Sequence, residues 1–194
     1  NISITVSQFV GGIVSGSLSL ISDAVHNLSD VISLIISYVA NILTNRKQQT
    51  SQQTFGYKRA EIVAAFINSA SLIVIAVFLA FEAVKRLQNP IELESNIVIA
   101  LALLAIFANG FSVLLLKKDA HHNLNMRAAY LHLLSDMLTS VAVLIGGLLM
   151  KFYQIYWIDG VLTIIISAYL FFMSWHIFRD SLHILMLFAQ KHIK

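Results

Sequence analysis

The sequence predicts an all-α integral membrane bundle of six transmembrane helices. Three observations predict it. Of the 194 residues, 58% are hydrophobic and 12% charged, with a mean hydropathy of +0.78; a soluble domain carries about 25% charged residues. Long windows free of Asp, Glu, Lys and Arg recur along the chain, each approaching or reaching the roughly 20 residues that a spanning helix needs. Short or polar segments separate those windows.

The first apolar run, Ile2 to Val14, is shorter than a span. It predicts a first helix truncated at its N-terminus, near residues 1–15. Val31–Asn45 is free of charge and extends a run from about Leu18, giving a second helix near 18–44. Ile62–Phe81 gives the third, near 58–87, and Ser95–Leu116 the fourth, near 95–117. Ala128–Met150, interrupted only by His132 and Asp136, gives the fifth, near 125–151. Gly160–Phe178, interrupted only by His176, gives the sixth, near 157–186.

The connections fit. Gly16 and Ser17 make a tight turn, and 45–54 (NRKQQTSQQT) a polar loop. Asn89-Pro90 closes the third helix, because the residue before proline avoids helix and proline cannot continue one. Lys117–Asn123 links the fourth and fifth helices, and the aromatic segment Tyr153–Trp157 links the fifth and sixth at an interfacial position. Gly12 and Gly16 have small-xxx-small spacing. Residues 1–186 read as one transmembrane domain. Residues 187–194 (LFAQKHIK) read as a short tail with no cytoplasmic domain.

Lysine and arginine set the orientation. Arg46, Lys47, Lys58, Arg59, Lys117, Lys118, Arg127, Arg179, Lys191 and Lys194 fall on one side. Lys85, Arg86 and Lys151 fall on the other. The positive-inside rule puts the former side, with both termini, in the cytoplasm.

One motif occurs twice inside these apolar segments: His26-Asn27-Leu28-Ser29-Asp30 and His132-Leu133-Leu134-Ser135-Asp136. Each places an imidazole and a carboxylate at i and i+4, on one face of a helix. At about 1.5 Å per residue, Asp30 lies about 18 Å from the outer end of its helix, and Asp136 about 16 Å from the inner end of its own. In a hydrocarbon core of about 30 Å both come near the midplane, on helices running in opposite directions. Ionisable groups at that depth are costly and mark ion paths or substrate sites.

The chain has no cysteine, so a metal here must take nitrogen and oxygen ligands. Two imidazoles and two carboxylates supply the four ligands and two negative charges that suit Zn²⁺. An empty, fully ionised site would be costly in low dielectric, so protons should replace a departing metal. Charge balance thus predicts metal–proton exchange at His26, Asp30, His132 and Asp136.

Other polar residues are weaker signals. Asp23 reads either as an outer vestibule or proton entry, or as a solvated or hydrogen-bonded carboxylate near a helix end. Ser29 and Ser135 read as packing residues, and Asn68 and Asn109 as interhelical hydrogen-bond formers. His121, His122, His176, His183 and His192 lie near membrane ends or in tails, and Glu82, Lys85 and Arg86 read as a solvated cluster. An intramembrane metal hydrolase would need an open metal position and a general base, and no Glu lies in either motif. A proton or cation channel would use the pairs as a relay or filter; matched pairs suit one discrete site better.

The chain resembles the cation diffusion facilitator family, the zinc-type proton-coupled metal exporters. The resemblance covers nearly the whole chain. It is carried by 17–30 (SLSLISDAVHNLSD), 54–61 (TFGYKRAE), and 123–127 (NLNMR) leading into 130–136 (YLHLLSD). It implies a six-helix unit, a homodimer, alternating access, and transported metal bound by His26, Asp30, His132 and Asp136. His26 matches the zinc and cadmium pattern; cobalt shares the ligand chemistry. The resemblance also implies a location in the cytoplasmic membrane. Zn²⁺ is then the substrate; no catalytic residue, organic cofactor or nucleic-acid partner is expected. The chain departs from the family pattern after Met186. It also lacks a His/Asp cluster between the second and third helices and a His-rich loop between the fourth and fifth.

Overall fold

A computed structural model describes residues 2–44, 51–117 and 124–186. Among these residues all regular structure is helical: α1 (Ile2–Ser15), α2 (Leu18–Thr44), α3 (Ser51–Gln88), α4 (Ser95–Leu116), α5 (Leu124–Tyr153) and α6 (Trp157–Leu185). The fold class is all-α, as the sequence predicts. Segments of α2 to α6 are long and apolar enough to cross a membrane: Leu18–Ile36, Ile62–Gln88, Ser95–Leu116, Ala129–Tyr153 and Trp157–Leu185. The fourteen residues of α1 fall short of that length.

The one substantial difference from the expected boundaries is at α3, which begins at Ser51 rather than near residue 58. Charge-free windows locate the apolar part of a helix and say nothing of a polar first turn. Gln52 and Gln53 are favourable helix formers, so helix can extend outward beyond the apolar run. Arg46, Lys47, Lys118, His121 and His122, and the tail 187–194, lie outside the described residues.

The chain divides into two compact units. The first comprises Asn1–Leu28 and Phe78–Ser167, and the second Ser29–Val77 and Ala168–Lys194. In the first unit, α1 packs on α4 and α4 on α5. Its core is rich in small side chains: Ala24, Ala83, Ala102 and Ala105 are buried with Leu20, Val98, Val143 and Met150. Small residues let helix backbones approach closely, which is what drives association where lipid is as apolar as leucine. The α1–α2 turn takes its shape from Gly16, whose φ of 74° is the left-handed cap that glycine adopts without a Cβ penalty. Both members of the Gly12/Gly16 pair pack closely: a Cβ at Gly12 would lie 2.7 Å from Ile21 Cγ1 and 3.1 Å from Ile21 N, and one at Gly16 would lie 3.2 Å from Leu93 Cδ2.

Polarity in this unit is inverted relative to a water-soluble domain. Gln8, Ser17, Ser19, Ser22, Asp23, Ser140, Asp159 and Thr163 are fully buried, whereas Phe107 (73%) and Phe152 (72%) are exposed. An apolar exterior around a polar interior is the arrangement a hydrocarbon solvent selects.

In the second unit, Asn68 on α3 donates to Ser29 Oγ (2.9 Å) and Ser33 Oγ (3.2 Å) on α2. This is the interhelical role the sequence suggests. Phe66 stacks on Phe178 at 4.9 Å between ring centroids, and Trp175 stacks beside Phe178 at 5.9 Å.

Candidate metal centre

The position of His26 starts with the beginning of α2. Ser17 Oγ accepts the Leu20 N–H at 3.2 Å, an N-cap contact that satisfies an otherwise orphaned helix donor. The Asp159 carboxylate, at the first turn of α6, accepts the N–H groups of Leu18 (2.9 Å) and Ser19 (3.2 Å). It also accepts the hydroxyls of Ser17 (2.7 Å) and Ser19 (2.6 Å). A negative charge at a helix N-terminus is favourable. Arg86, near the end of α3, faces Asp159 at 3.4 Å and donates to the Gly16 carbonyl. The start of α2 is therefore clamped to the adjoining ends of α3 and α6.

Asp159 and Arg86 carry a role the sequence reading missed. Lys85 and Glu82 form the expected exposed pair at 2.6 Å. Arg86 does not belong to that solvated cluster: its side chain is 15% exposed and its partner Asp159 is fully buried.

Two helical turns beyond this clamp, three residues of the repeated motif, His26, His132 and Asp136, come together. His26 and Asp136 are both buried. His26 Nε2 lies 3.4 Å from Asp136 Oδ1, and His132 Nε2 lies 3.6 Å from Asp136 Oδ2. The two imidazole rings stand 6.1 Å apart at 72°. Asp136 thus presents one oxygen to an imidazole of α2 and the other to an imidazole of its own helix. Both separations exceed the usual hydrogen-bond range. A tetrahedral Zn²⁺ with bonds of about 2.0–2.1 Å sets neighbouring ligands roughly 3.3–3.4 Å apart, close to the His26–Asp136 separation. The His132 side chain is 39% exposed, so this edge of the group is open.

Asp30 falls in the second unit, one turn beyond His26 on the unbroken helix α2. The i, i+4 register gives it the same helix face as His26. Ser29 Oγ accepts from Asn68, and the exposed Ser135 donates to its own helix at Leu131 O, so neither hydroxyl is aimed as a ligand. His176 and Asp180, another pair at i, i+4, are 3.4 Å apart and exposed by 80% and 58%. They form a surface pair.

Asp23 lies one turn toward the α1–α2 turn from His26. It is fully buried. Gln8 Nε2 donates to its Oδ2 at 2.6 Å, and Ser140 Oγ stands 3.4 Å from the same oxygen. Asn27 Nδ2 donates to Gln8 Oε1 at 3.2 Å. Asp23 Oδ1 has no hydrogen-bond partner among the described residues. A hydrogen-bonded carboxylate, rather than a solvated one, is what the structure contains.

The comparisons with known proteins agree with this chemistry. Residues 1–186 match the model of the cation efflux transmembrane domain. The cadmium, cobalt and zinc/H(+)-K(+) antiporter of Bacillus subtilis is 37% identical over 183 residues, covering 93% of this chain and 58% of that protein. The metal cation efflux system protein CzcD of Cupriavidus metallidurans is 34% identical over 181 residues, 93% of this chain and 57% of its own length. The zinc transporter ZitB of Escherichia coli is 35% identical over 177 residues, 91% of this chain and 56% of its own. The chain thus spans somewhat over half the length of these relatives. With its match to the family model running from residue 1 to 186, the chain belongs to the cation efflux family, as a transmembrane domain of that family.

Proposed function

We propose that this chain is the ion-translocating part of a divalent metal exporter, moving Zn²⁺ out of the cytoplasm in exchange for protons by alternating access. The observation that carries the proposal is Asp136, buried between His26 and His132. A carboxylate flanked by imidazoles from two apolar helices has no role in holding lipid-exposed surface. It has the donor chemistry of a borderline divalent cation. His26, Asp30, His132 and Asp136 are the four ligands; Asp30 is assigned by its register on α2. The relatives' names speak for cadmium and cobalt beside zinc, and for potassium beside protons.

The exchange follows from charge. Zn²⁺ cancels the two carboxylates, and after its release protons take over that neutralisation. The same four side chains then stay close to neutral in both strokes. The chain acts as a homodimer in the cytoplasmic membrane with both termini inside, and as a transporter rather than an enzyme. Metal flux into proteoliposomes with an imposed pH gradient tests the reading. The gradient should accelerate zinc movement at least several-fold. Equal rates with and without it would defeat proton coupling.

A further inference from the structure

We propose that Asp159 and Arg86 form the outer latch of the transport path, a contact that holds this end of the bundle shut and parts when the ion is released outward. The inference rests on the alternating-access reading above and deepens it. With both termini inside, α2 and α6 start at the outer face, and the clamp lies there. Between the clamp and the metal ligands, Ser19 and Ser22 on α2, Ser140 on α5 and Thr163 on α6 are fully buried. Ser19, Ser22 and His26 share one face of α2, at i, i+3 and i+7, so this buried stretch is what an outgoing ion has to pass. His132 lies one turn before Asp136, toward the start of α5, and its side chain is 39% exposed. The ligand group is thus sealed toward the clamp and exposed on the edge nearer the inner end of α5.

The chemistry of the clamp suits a contact that opens into water. Asp159 gathers two N–H groups and two hydroxyls from the start of α2 and faces Arg86 at the end of α3. One carboxylate therefore ties three helix ends together. Trp157, two residues before it, is half exposed, at the interfacial level that tryptophan favours. Water is within reach as soon as these ends separate. An apolar plug in the same place would be driven shut by water itself. A charged one is strong while dry, because low dielectric strengthens its contacts. Once wet, each polar group exchanges a protein partner for water at small net cost. Well-packed apolar residues often hold a fold as well as a buried ion pair does, so stability alone does not call for charge here. Reversible opening does.

The chain has no cysteine, so single cysteines report access without background. Ser22→Cys sits in the sealed stretch. Ala129→Cys, at an exposed position one turn before His132, reports the inner side. A membrane-impermeant thiol reagent is applied to the full chain, from outside in intact cells and from inside in inverted vesicles. With the latch intact, Ser22→Cys should label slowly from outside. Asp159→Asn and Arg86→Gln should each raise that rate about tenfold, as the outward-open population grows, and should not raise inner labelling of Ala129→Cys. Ser19→Ala keeps the ion pair and removes one donor to the carboxylate, so its rise should be about threefold; it decides the matter where a charge variant fails to fold. Unchanged outer labelling in the variants that fold overturns the latch. So does an equal rise at Ala129→Cys, because that would be loosening of the whole bundle. Zinc flux of the wild type under a pH gradient judges the transport reading by itself. Gradient-driven flux with unchanged labelling sinks only the latch, and labelling that responds as expected without gradient-driven flux sinks only the proton coupling.

Discussion

Asp159 holds Ser19 twice: one carboxylate oxygen, Oδ1, accepts both the Ser19 hydroxyl at 2.6 Å and the Ser19 N–H at 3.2 Å. The two residues are 140 positions apart in sequence. Because Ser19 lies two turns before His26, this contact fixes where along its axis α2 starts and which way its ligand face turns. Removing the carboxylate leaves Arg86 partly buried and unpaired, and strips the first turn of α2 of its acceptor. Breaking one side of a buried pair costs about 3–5 kcal/mol. Asp159→Ala should therefore lower the thermal unfolding midpoint in detergent by several degrees. Adding Arg86→Ala should recover part of that loss, because the uncompensated charge disappears with it. A double variant as unstable as the sum of the two singles would refute the pairing.

The position of Asp136 between two imidazoles predicts an order of effects on metal affinity. Asp136→Ala removes a buried charge facing both rings. It should weaken zinc binding by more than the roughly 10–100-fold typical of losing a supporting group around a metal. His132→Ala should cost less, because its side chain is 39% exposed and water can take the vacated position. His26→Ala should fall nearer to Asp136→Ala, since His26 is buried. Zinc calorimetry on the three variants checks the order. A His132→Ala variant worse than Asp136→Ala would contradict it.

The two parts of the site differed in how legible they were in the sequence. The repeated His-x-Leu-Ser-Asp could be read directly, because i, i+4 spacing is a property of one helix and the cost of a charge in apolar sequence is local. The helices themselves were legible from charge-free windows for the same reason. Asp159 was not. An acid in a first helical turn is ordinarily a solvated favourable charge, and nothing near it in sequence names Ser17, Ser19 or Arg86 as its partners. Arg86 was assigned to the surface because i, i+3 and i, i+4 pairs were the only partners visible. Gln8 was invisible as a partner of Asp23, since it sits in a short apolar run with no motif around it. What was missed in each case is a tertiary contact that no periodicity encodes.

Gly12 and Gly110 make opposite predictions from the same substitution. A Cβ at Gly12 would meet Ile21 Cγ1 at 2.7 Å and the Ile21 backbone nitrogen at 3.1 Å, whereas one at Gly110 would meet only Met137 Sδ at 3.5 Å. Backbone cannot move aside as a flexible thioether can. Gly12→Ala should destabilise by about 1–3 kcal/mol, the usual cost of overpacking. Gly110→Ala should be neutral or slightly stabilising, because alanine is the better helix former. Unfolding midpoints measured side by side decide it, and equal shifts at the two sites would show that the α1–α2 approach is looser than described.

Asn68 joins α3 to the helix that carries Asp30. Its amide donates to Ser29, the residue next to Asp30, and to Ser33 one turn on. Hydrogen bonds between membrane helices are weaker than the absence of water suggests, because the alternative state also finds partners. Measured couplings average about 0.6 kcal/mol and reach about 1.7. A double-mutant cycle of Asn68→Ala and Ser29→Ala should therefore give a coupling of that size in unfolding experiments. Because Ser29 is adjacent to a proposed ligand, Asn68→Ala should also reduce zinc affinity, by less than loss of a ligand does. Stability reduced with zinc binding untouched would confine Asn68 to packing. A coupling near zero would mean that Ser33 or another acceptor replaces Ser29 without cost.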